Sequence, residues 1–445
     1  MSQSSSTAPN QAIPYELPDW AKESFAHPPE HGRLRLANLP TPLYRIFGHQ
    51  HSESFSFTNN SENLKDRSST SQSLSTFLTS LGASMYVKRD DCTGGVELGG
   101  NKCRKLEFLL ADALAHNHNA VVTIGGLQSN HCRATAAASR MVGLEPHLIL
   151  RTTKNKDLDR EKINTELTGN ILMDRILGSK LYTCTPGEYG RLGSDELVAR
   201  LSRCIKQSSN GTTHPYSIPV GGSNAIGTWG YINAVDELMS QLQDINLPLD
   251  YIVFACGSGG TAAGISLGVA LAFQALSRQS AALTIPKVMA VGVCDDPDYF
   301  YHHVASIADQ MGLQNLSGGM STEAFVRQNM NVLQGKGCGY AISTPEELEF
   351  AAHFARDTGI VLDPVYSGKA LFAFVRLMEE DPACFRDKNI LFWHTGGALG
   401  LYDKVPSLLP FLQEHKDVYA LDAYGKGIGI DISQPSTGQE GRATP

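Results

Sequence analysis

The 445-residue sequence has no apolar run approaching the length of a membrane span. Its first residues, Met1-Ser2-Gln3-Ser4-Ser5-Ser6-Thr7, lack the basic and apolar regions of a secretory signal, and they lack arginine, which weakens a mitochondrial reading. The nine cysteines are scattered, odd in number and without a C-x-x-C pair. That fits reduced thiols in the cytoplasm better than a disulfide or zinc framework. Positive charge is in deficit: the net charge of −8 argues against nucleic-acid and anionic-membrane partners. There is no G-x-S-x-G and no P-loop Gly-Lys-Ser/Thr. His131 has no partner at metal-ligand spacing, so no metal site is expected. No internal repeat is visible. What remains is ordinary for a globular protein, with 42% hydrophobic and 18% charged residues, and the length suits two domains.

Residues 1–35 are polar and proline-bearing and are expected to be mobile, then loosely packed. Leu39-Pro40-Thr41-Pro42-Leu43 is extended, because each proline biases its predecessor away from helix. Residues 49–74 are Ser-, Asn- and His-rich and read as a disordered insertion, and the Gly-, Ser- and Gln-rich tail 423–445 reads likewise. Between them strands and helices alternate. Strands are expected at 85–89, 120–124, 147–150, 180–182, 216–222, 251–256, 287–293 and 389–394, and helices at 130–140, 171–177, 196–208, 224–243 and 262–276, with a polar loop at 154–162. Thr344-Pro345-Glu346-Glu347 carries a capping-box signature for a helix to about residue 355. Apolar strands alternating with helices imply parallel sheets covered on both faces, with ligands at the carboxyl ends of strands.

The stretch Gly99-Gly100-Asn101-Lys102 opens a helix whose apolar positions Leu106, Leu109, Leu110 and Leu114 recur at helical spacing, with Asn101 as the expected N-cap. A lysine in the first turn opposes the helix dipole, so it either points to solvent or serves as an amine nucleophile toward an aldehyde cofactor. Gly257-Ser258-Gly259-Gly260-Thr261, between a buried strand and a helix, reads as a phosphate cradle or as a plain tight turn. Gln128-Ser129-Asn130-His131, Asp363-Pro364-Val365-Tyr366-Ser367 and His394-Thr395-Gly396-Gly397 place hydroxyl, amide, imidazole and phenol groups at other strand ends.

These stretches, with Leu39–Leu43 and Val87-Lys88-Arg89-Asp90-Asp91, resemble the fold type II (tryptophan-synthase-β-like) pyridoxal-phosphate (PLP) enzymes over residues 34–402. More narrowly, they resemble the family of D-cysteine desulfhydrase and 1-aminocyclopropane-1-carboxylate (ACC) deaminase. The resemblance implies two open-twisted parallel-sheet α/β domains: a larger PLP-binding one from 36–102 and 226–422, and a smaller one from 103–225. It implies that Lys102 carries PLP covalently, Asn130 bonds the ring oxygen, and Gly257, Ser258, Gly259, Gly260 and Thr261 hold the phosphate. Ser129, Asn130 and His131 receive the substrate carboxylate, Tyr366 stands near the reacting carbons, and Tyr340 is a second active-site tyrosine. A homodimer is implied as well.

Within the family, the residue after Tyr366 sorts the branches. ACC deaminases are expected to carry Glu there, and this chain has Ser367 with Thr395 after the last-strand histidine. A carboxylate keeps the pyridine nitrogen protonated, whereas a hydroxyl leaves a weaker electron sink that suffices when thiolate is the leaving group. The expectation is therefore α,β-elimination of D-cysteine to pyruvate, ammonia and hydrogen sulfide. ACC deamination, action on a larger amino acid and cofactor binding without turnover stand as alternatives.

Overall fold

A computed structural model of the chain describes residues 8–47, 73–152, 163, 167–278 and 284–414. Residues 49–72 of the expected insertion, the loop 154–162 and the tail 423–445 lie outside the described residues. The described residues form ten strands: β1 Leu43–Phe47, β2 Ser84–Arg89, β3 Ala120–Gly126, β4 Glu145–Arg151, β5 Lys180–Cys184, β6 Pro215–Ser217, β7 Tyr251–Cys256, β8 Lys287–Gly292, β9 Asn331–Gln334 and β10 Asn389–His394. They form a six-stranded sheet, ordered β1-β2-β10-β7-β8-β9, and a four-stranded sheet, ordered β5-β4-β3-β6. The chain thus leaves the first sheet after β2, completes the second, and returns at β7.

Every pairing is parallel except β1 with β2, where Leu43 faces Lys88 antiparallel. The sheets are parallel as expected, and β1, which precedes the alternating pattern, adds an antiparallel edge strand. β7 is buried at all six positions, as a central strand covered on both faces must be. The expected strand over 216–222 is shortened to β6 because Pro219 has no N–H to pair and Gly221 turns the chain at φ +68°.

Six helices position the site: α1 Lys102–Ala115, α2 Asn130–Met141, α3 Ala225–Asp244, α4 Gly260–Ser277, α5 Pro345–Thr358 and α6 Ser367–Glu380. Thr344 and Glu347 form the expected capping box of α5. α4 is long and apolar enough to cross a membrane, but most of it is buried inside the protein. It lies against α3, where a side chain at Gly264 would meet Tyr231 Cβ at 2.2 Å. Leu106, Leu109 and Leu110 of α1 pack on Ala134, Ala137 and Ala138 of α2, while Phe108 joins the core of Trp229 and Phe254.

The first segment, where described, docks on this core. Ala21, Phe25 and Leu34 are buried, the Phe25 and Trp229 rings lie edge to face at 5.1 Å, and Trp20 Nε1 donates to Asp236 Oδ1 at 3.0 Å. Residues 405–414 belong to a separate unit and form one helix, Val405–Glu414, with Pro410 inside it.

Behind Lys102 lies a buried ionic cluster. Arg104 grips Asp90 with Nη2–Oδ1 2.8 Å and Nε–Oδ2 3.0 Å, and reaches Glu237 at 3.0 Å. Tyr231 and Thr41 hydroxyls also donate to Asp90, and Lys88 pairs with Glu237. Burial alone raises the Asp90 pKa, but the Arg104 and Lys88 charges outweigh it and hold the carboxyl below its usual range. This network ties α1 to β2 and α3.

Candidate active site

The carboxyl ends of strands from both sheets border one cavity of about 560 Å³. Of the residues expected at the site, Lys102, Ser129, Asn130, His131, Gly257, Ser258, Gly259, Thr261, Tyr340, Tyr366 and Thr395 line it. Gly260 stands behind the wall, and Ser367 is wholly buried outside the lining.

Lys102 starts α1. Its Nζ donates to Asn101 Oδ1 at 2.8 Å. The pKa is pushed down to about 8, first by burial and then by the Arg133 cation, with Asp363 opposing. Asn101 does not cap the helix as expected: its backbone is already helical, at φ −56° and ψ −19°, and its side chain turns away to Thr261 Oγ1 at 3.0 Å. That bond joins the start of α1 to the start of α4. Arg133 of α2 holds the turn before the lysine by donating to the carbonyls of Val96 at 2.6 Å and Gly99 at 3.1 Å.

The glycine turn 257–261 precedes α4. Gly257 has no room for a side chain, which would meet the Tyr366 ring at 2.8 Å, and Gly259 sits at φ +86°. Two groups that sequence reading missed complete the cup. Ser223 Oγ lies 2.7 Å from Ser258 Oγ and accepts from Gly260 N at 3.1 Å. Lys105, one turn after Lys102, donates to Gly221 O at 3.1 Å and Ser223 Oγ at 3.3 Å. Lys105 is buried with neutral partners, and burial and then Lys102 push its pKa well down. An anion in the cup restores that charge. The i, i+3 spacing from Lys102 is visible in sequence, but only the approach of the loop at 221–223 reveals its use.

On the opposite wall, Ser129 caps α2, accepting from Cys132 N at 3.2 Å. Asn130 Oδ1 accepts from Asn170 Nδ2 at 3.0 Å. His131 Nε2 pairs with Thr123 Oγ1 at 2.9 Å, and burial, then Lys102 and Lys105, keep the imidazole neutral. The Tyr340 and Tyr366 hydroxyls meet at 2.8 Å, and burial raises both pKa values. At the end formed by 363–367 and 394–397, Asp363 accepts from the backbone N–H groups of Val365, Tyr366 and Ser367, and its Oδ1 also accepts the Ser367 hydroxyl. Thr395 lines the cavity.

A buried amine of lowered pKa, a glycine cup at a helix N-terminus and an uncompensated lysine beside it fit an aldehyde cofactor bearing a phosphate. The profile of the family described as pyridoxal-phosphate dependent enzyme matches residues 70–396. The chain is 43% identical over 398 residues to the mitochondrial bifunctional D-cysteine desulfhydrase/1-aminocyclopropane-1-carboxylate deaminase of Arabidopsis thaliana, covering 89% of this chain and 85% of that one. It is 32% identical over 336 residues to D-cysteine desulfhydrase of Serratia proteamaculans, covering 74% and 91%. A crystal structure of an ACC deaminase homologue superposes with a TM-score of 0.63 at 27% identity, covering 85% of this chain and 95% of that one. With an amine, an anion cup and two parallel-sheet layers around one cavity, the chain belongs to the pyridoxal-phosphate dependent enzymes of fold type II, and its cofactor is pyridoxal 5'-phosphate.

Proposed function

We propose that the protein is a carbon–sulfur lyase that converts D-cysteine to pyruvate, ammonia and hydrogen sulfide. The observation that carries this reading is the end of the cavity near 363–367 and 394–397. It offers the neutral Thr395 hydroxyl to the site, while the nearby Asp363 carboxylate is engaged by backbone N–H groups and Ser367. When bound, the cofactor supplies an electron sink for charge developing at the substrate Cα. A sink without a facing carboxylate suits the loss of thiolate from Cβ.

In this reading Lys102 anchors the cofactor and then, as a neutral amine, takes the Cα proton. The C–S bond breaks with its electron pair on sulfur. The released 2-aminoacrylate hydrolyses to pyruvate and ammonia. Gly257–Thr261, Ser223 and Lys105 would hold the phosphate, Asn130 would bond the ring oxygen, and Thr395 would stand toward the ring nitrogen. Ser129 and Asn130 orient the substrate carboxylate, with His131 fixing their turn through Thr123. Tyr366, supported by Tyr340, holds a proton beside the leaving group. The preference for the D-isomer rests on the likeness to the Serratia enzyme.

The second reading is ACC deamination to 2-oxobutanoate and ammonia, favoured by the two activities in the name of the Arabidopsis relative. Parallel assays with D-cysteine, L-cysteine and ACC decide between them. Pyruvate and sulfide from D-cysteine alone support the first reading, and 2-oxobutanoate as the main product overturns it. The proposal includes a homodimer, implied by the family resemblance, and a reducing compartment, supported by nine free cysteines. Light scattering and cell fractionation, cytosol against mitochondria, check both parts.

A further inference from the structure

α1 carries Lys102 at one end. At the other end it presents a cluster for which the reading above has no use. Asp112 and His116 stand one turn apart, and His31 approaches from the N-terminal segment. His31 Nε2 lies 3.7 Å and His116 Nδ1 3.4 Å from Asp112 Oδ1, and all three ligand atoms fall within 4.8 Å of one another. A tetrahedral zinc with ligands at about 2.1 Å separates them by roughly 3.4 Å. The donors are therefore already near coordination spacing.

A second observation marks the site as built. The Tyr216 hydroxyl donates to the other oxygen, Asp112 Oδ2, at 2.6 Å, so the carboxylate is fixed with Oδ1 turned to the two imidazoles. Hydrogen bonds to a ligating group of this kind orient it toward the metal. The His31 and His116 rings stand edge to face at 4.9 Å, so the two imidazoles lie side by side at the Asp112 carboxylate. His31 is one-third and His116 about half exposed, so an ion can reach them.

We propose that His31, Asp112 and His116 form a binding site for a late first-row divalent cation, zinc foremost, which fastens the N-terminal segment to α1. Two imidazoles and one carboxylate suit zinc, nickel or copper rather than magnesium or calcium, which prefer all-oxygen sites. His116 Nδ1 also lies 2.9 Å from the Asp112 carbonyl oxygen, so ligation through Nδ1 gives up that hydrogen bond and leaves the ring proton on Nε2. The site does not include His131, and His31 joins Asp112 and His116 only through the tertiary fold.

The test is calorimetric titration of chelator-treated holoenzyme with zinc chloride, with thermal melts alongside. One equivalent is expected to bind and to raise the melting temperature. His31→Ala and His116→Ala should each weaken binding at least tenfold and abolish the rise, while both variants fold because the side chains are partly exposed. Tyr216→Phe should weaken binding about tenfold. Exposed Cys204, Cys338 and Cys384 also attract zinc. Binding that is equal in wild type and in the His31→Ala/His116→Ala double variant, or absent from wild type, overturns the proposal.

Discussion

The Ser367 hydroxyl donates to Asp363 Oδ1 at 2.7 Å, while the Asp363 backbone N–H donates back to Ser367 Oγ at 2.9 Å. This reciprocal pair is fully buried. Ser367→Ala leaves the Asp363 N–H without its acceptor and should lower stability by about 1–3 kcal/mol. Ser367→Glu sets a second carboxylate beside Asp363 and should lower it further. Thr395→Val, in contrast, should weaken PLP affinity about tenfold with little change in melting temperature, since only its cavity-facing hydroxyl is removed. Urea unfolding and cofactor titration of the three variants check this. Equal PLP affinity in Thr395→Val and wild type would count against Thr395 bordering the ring.

Lys102 gives a pH dependence. Its folded pKa of about 8 lies below the ordinary lysine value of 10.5. Between these values the unfolded chain holds a proton that the folded apoprotein has released, so this group's contribution to apoprotein stability rises with pH across that window. The nucleophilic neutral amine also grows with pH. The rate of PLP uptake by apoprotein should rise roughly tenfold per pH unit below 8 and level off above it. Stopped-flow absorbance measures the rate, and Lys102→Ala should show no covalent uptake at any pH.

Tyr340 and Tyr366 should separate by role. Tyr366→Phe removes the group proposed to hold a proton near the leaving group and should lower kcat about a hundredfold or more. Tyr340→Phe removes only its 2.8 Å partner, and a fall of about tenfold is expected with KM for D-cysteine unchanged. Steady-state sulfide release measures both. Equal losses would assign the pair one joint role.

Asp90 should matter for stability rather than chemistry. Asp90→Asn leaves buried Arg104 short of one counter-charge and should cost about 3–5 kcal/mol. Because the Asp90 pKa is lowered, its contribution is complete above the unfolded aspartate value of about 3.9 and is lost as pH falls through the folded value. Denaturant unfolding of wild type and variant at neutral and acid pH should show the gap narrowing in acid, with activity per folded molecule retained.

Much of the site was legible because its chemistry is local. Lys102 in a first helical turn, the glycines 257–260 between strand and helix, and the capping box at Thr344 are each properties of a few consecutive residues. The assignments that slipped were those decided by partners from elsewhere. Asn101 is an N-cap by type, but Thr261 draws its side chain to another helix. The 216–222 strand ends early because Pro219 cannot pair and Gly221 turns. The start of the chain reads as loose, but Phe25 finds Trp229. The Asp90 segment, read as a family signature, acts as scaffold through Arg104 and Glu237.

The sequence by itself determined that strands alternate with helices, that the strands are buried, and that an amine and a glycine cup sit at strand ends, since periodicity, propensity and backbone freedom act over short spans. Only the tertiary structure decided that Lys105 and Ser223 complete the cup, that Asp363 is consumed by its own helix and by Ser367, and that His31 reaches Asp112. Those are meetings of side chains tens of residues or more apart, or choices among competing hydrogen-bond partners. Their outcome depends on which groups the packed core brings within about 3 Å of one another, and no local pattern encodes that distance.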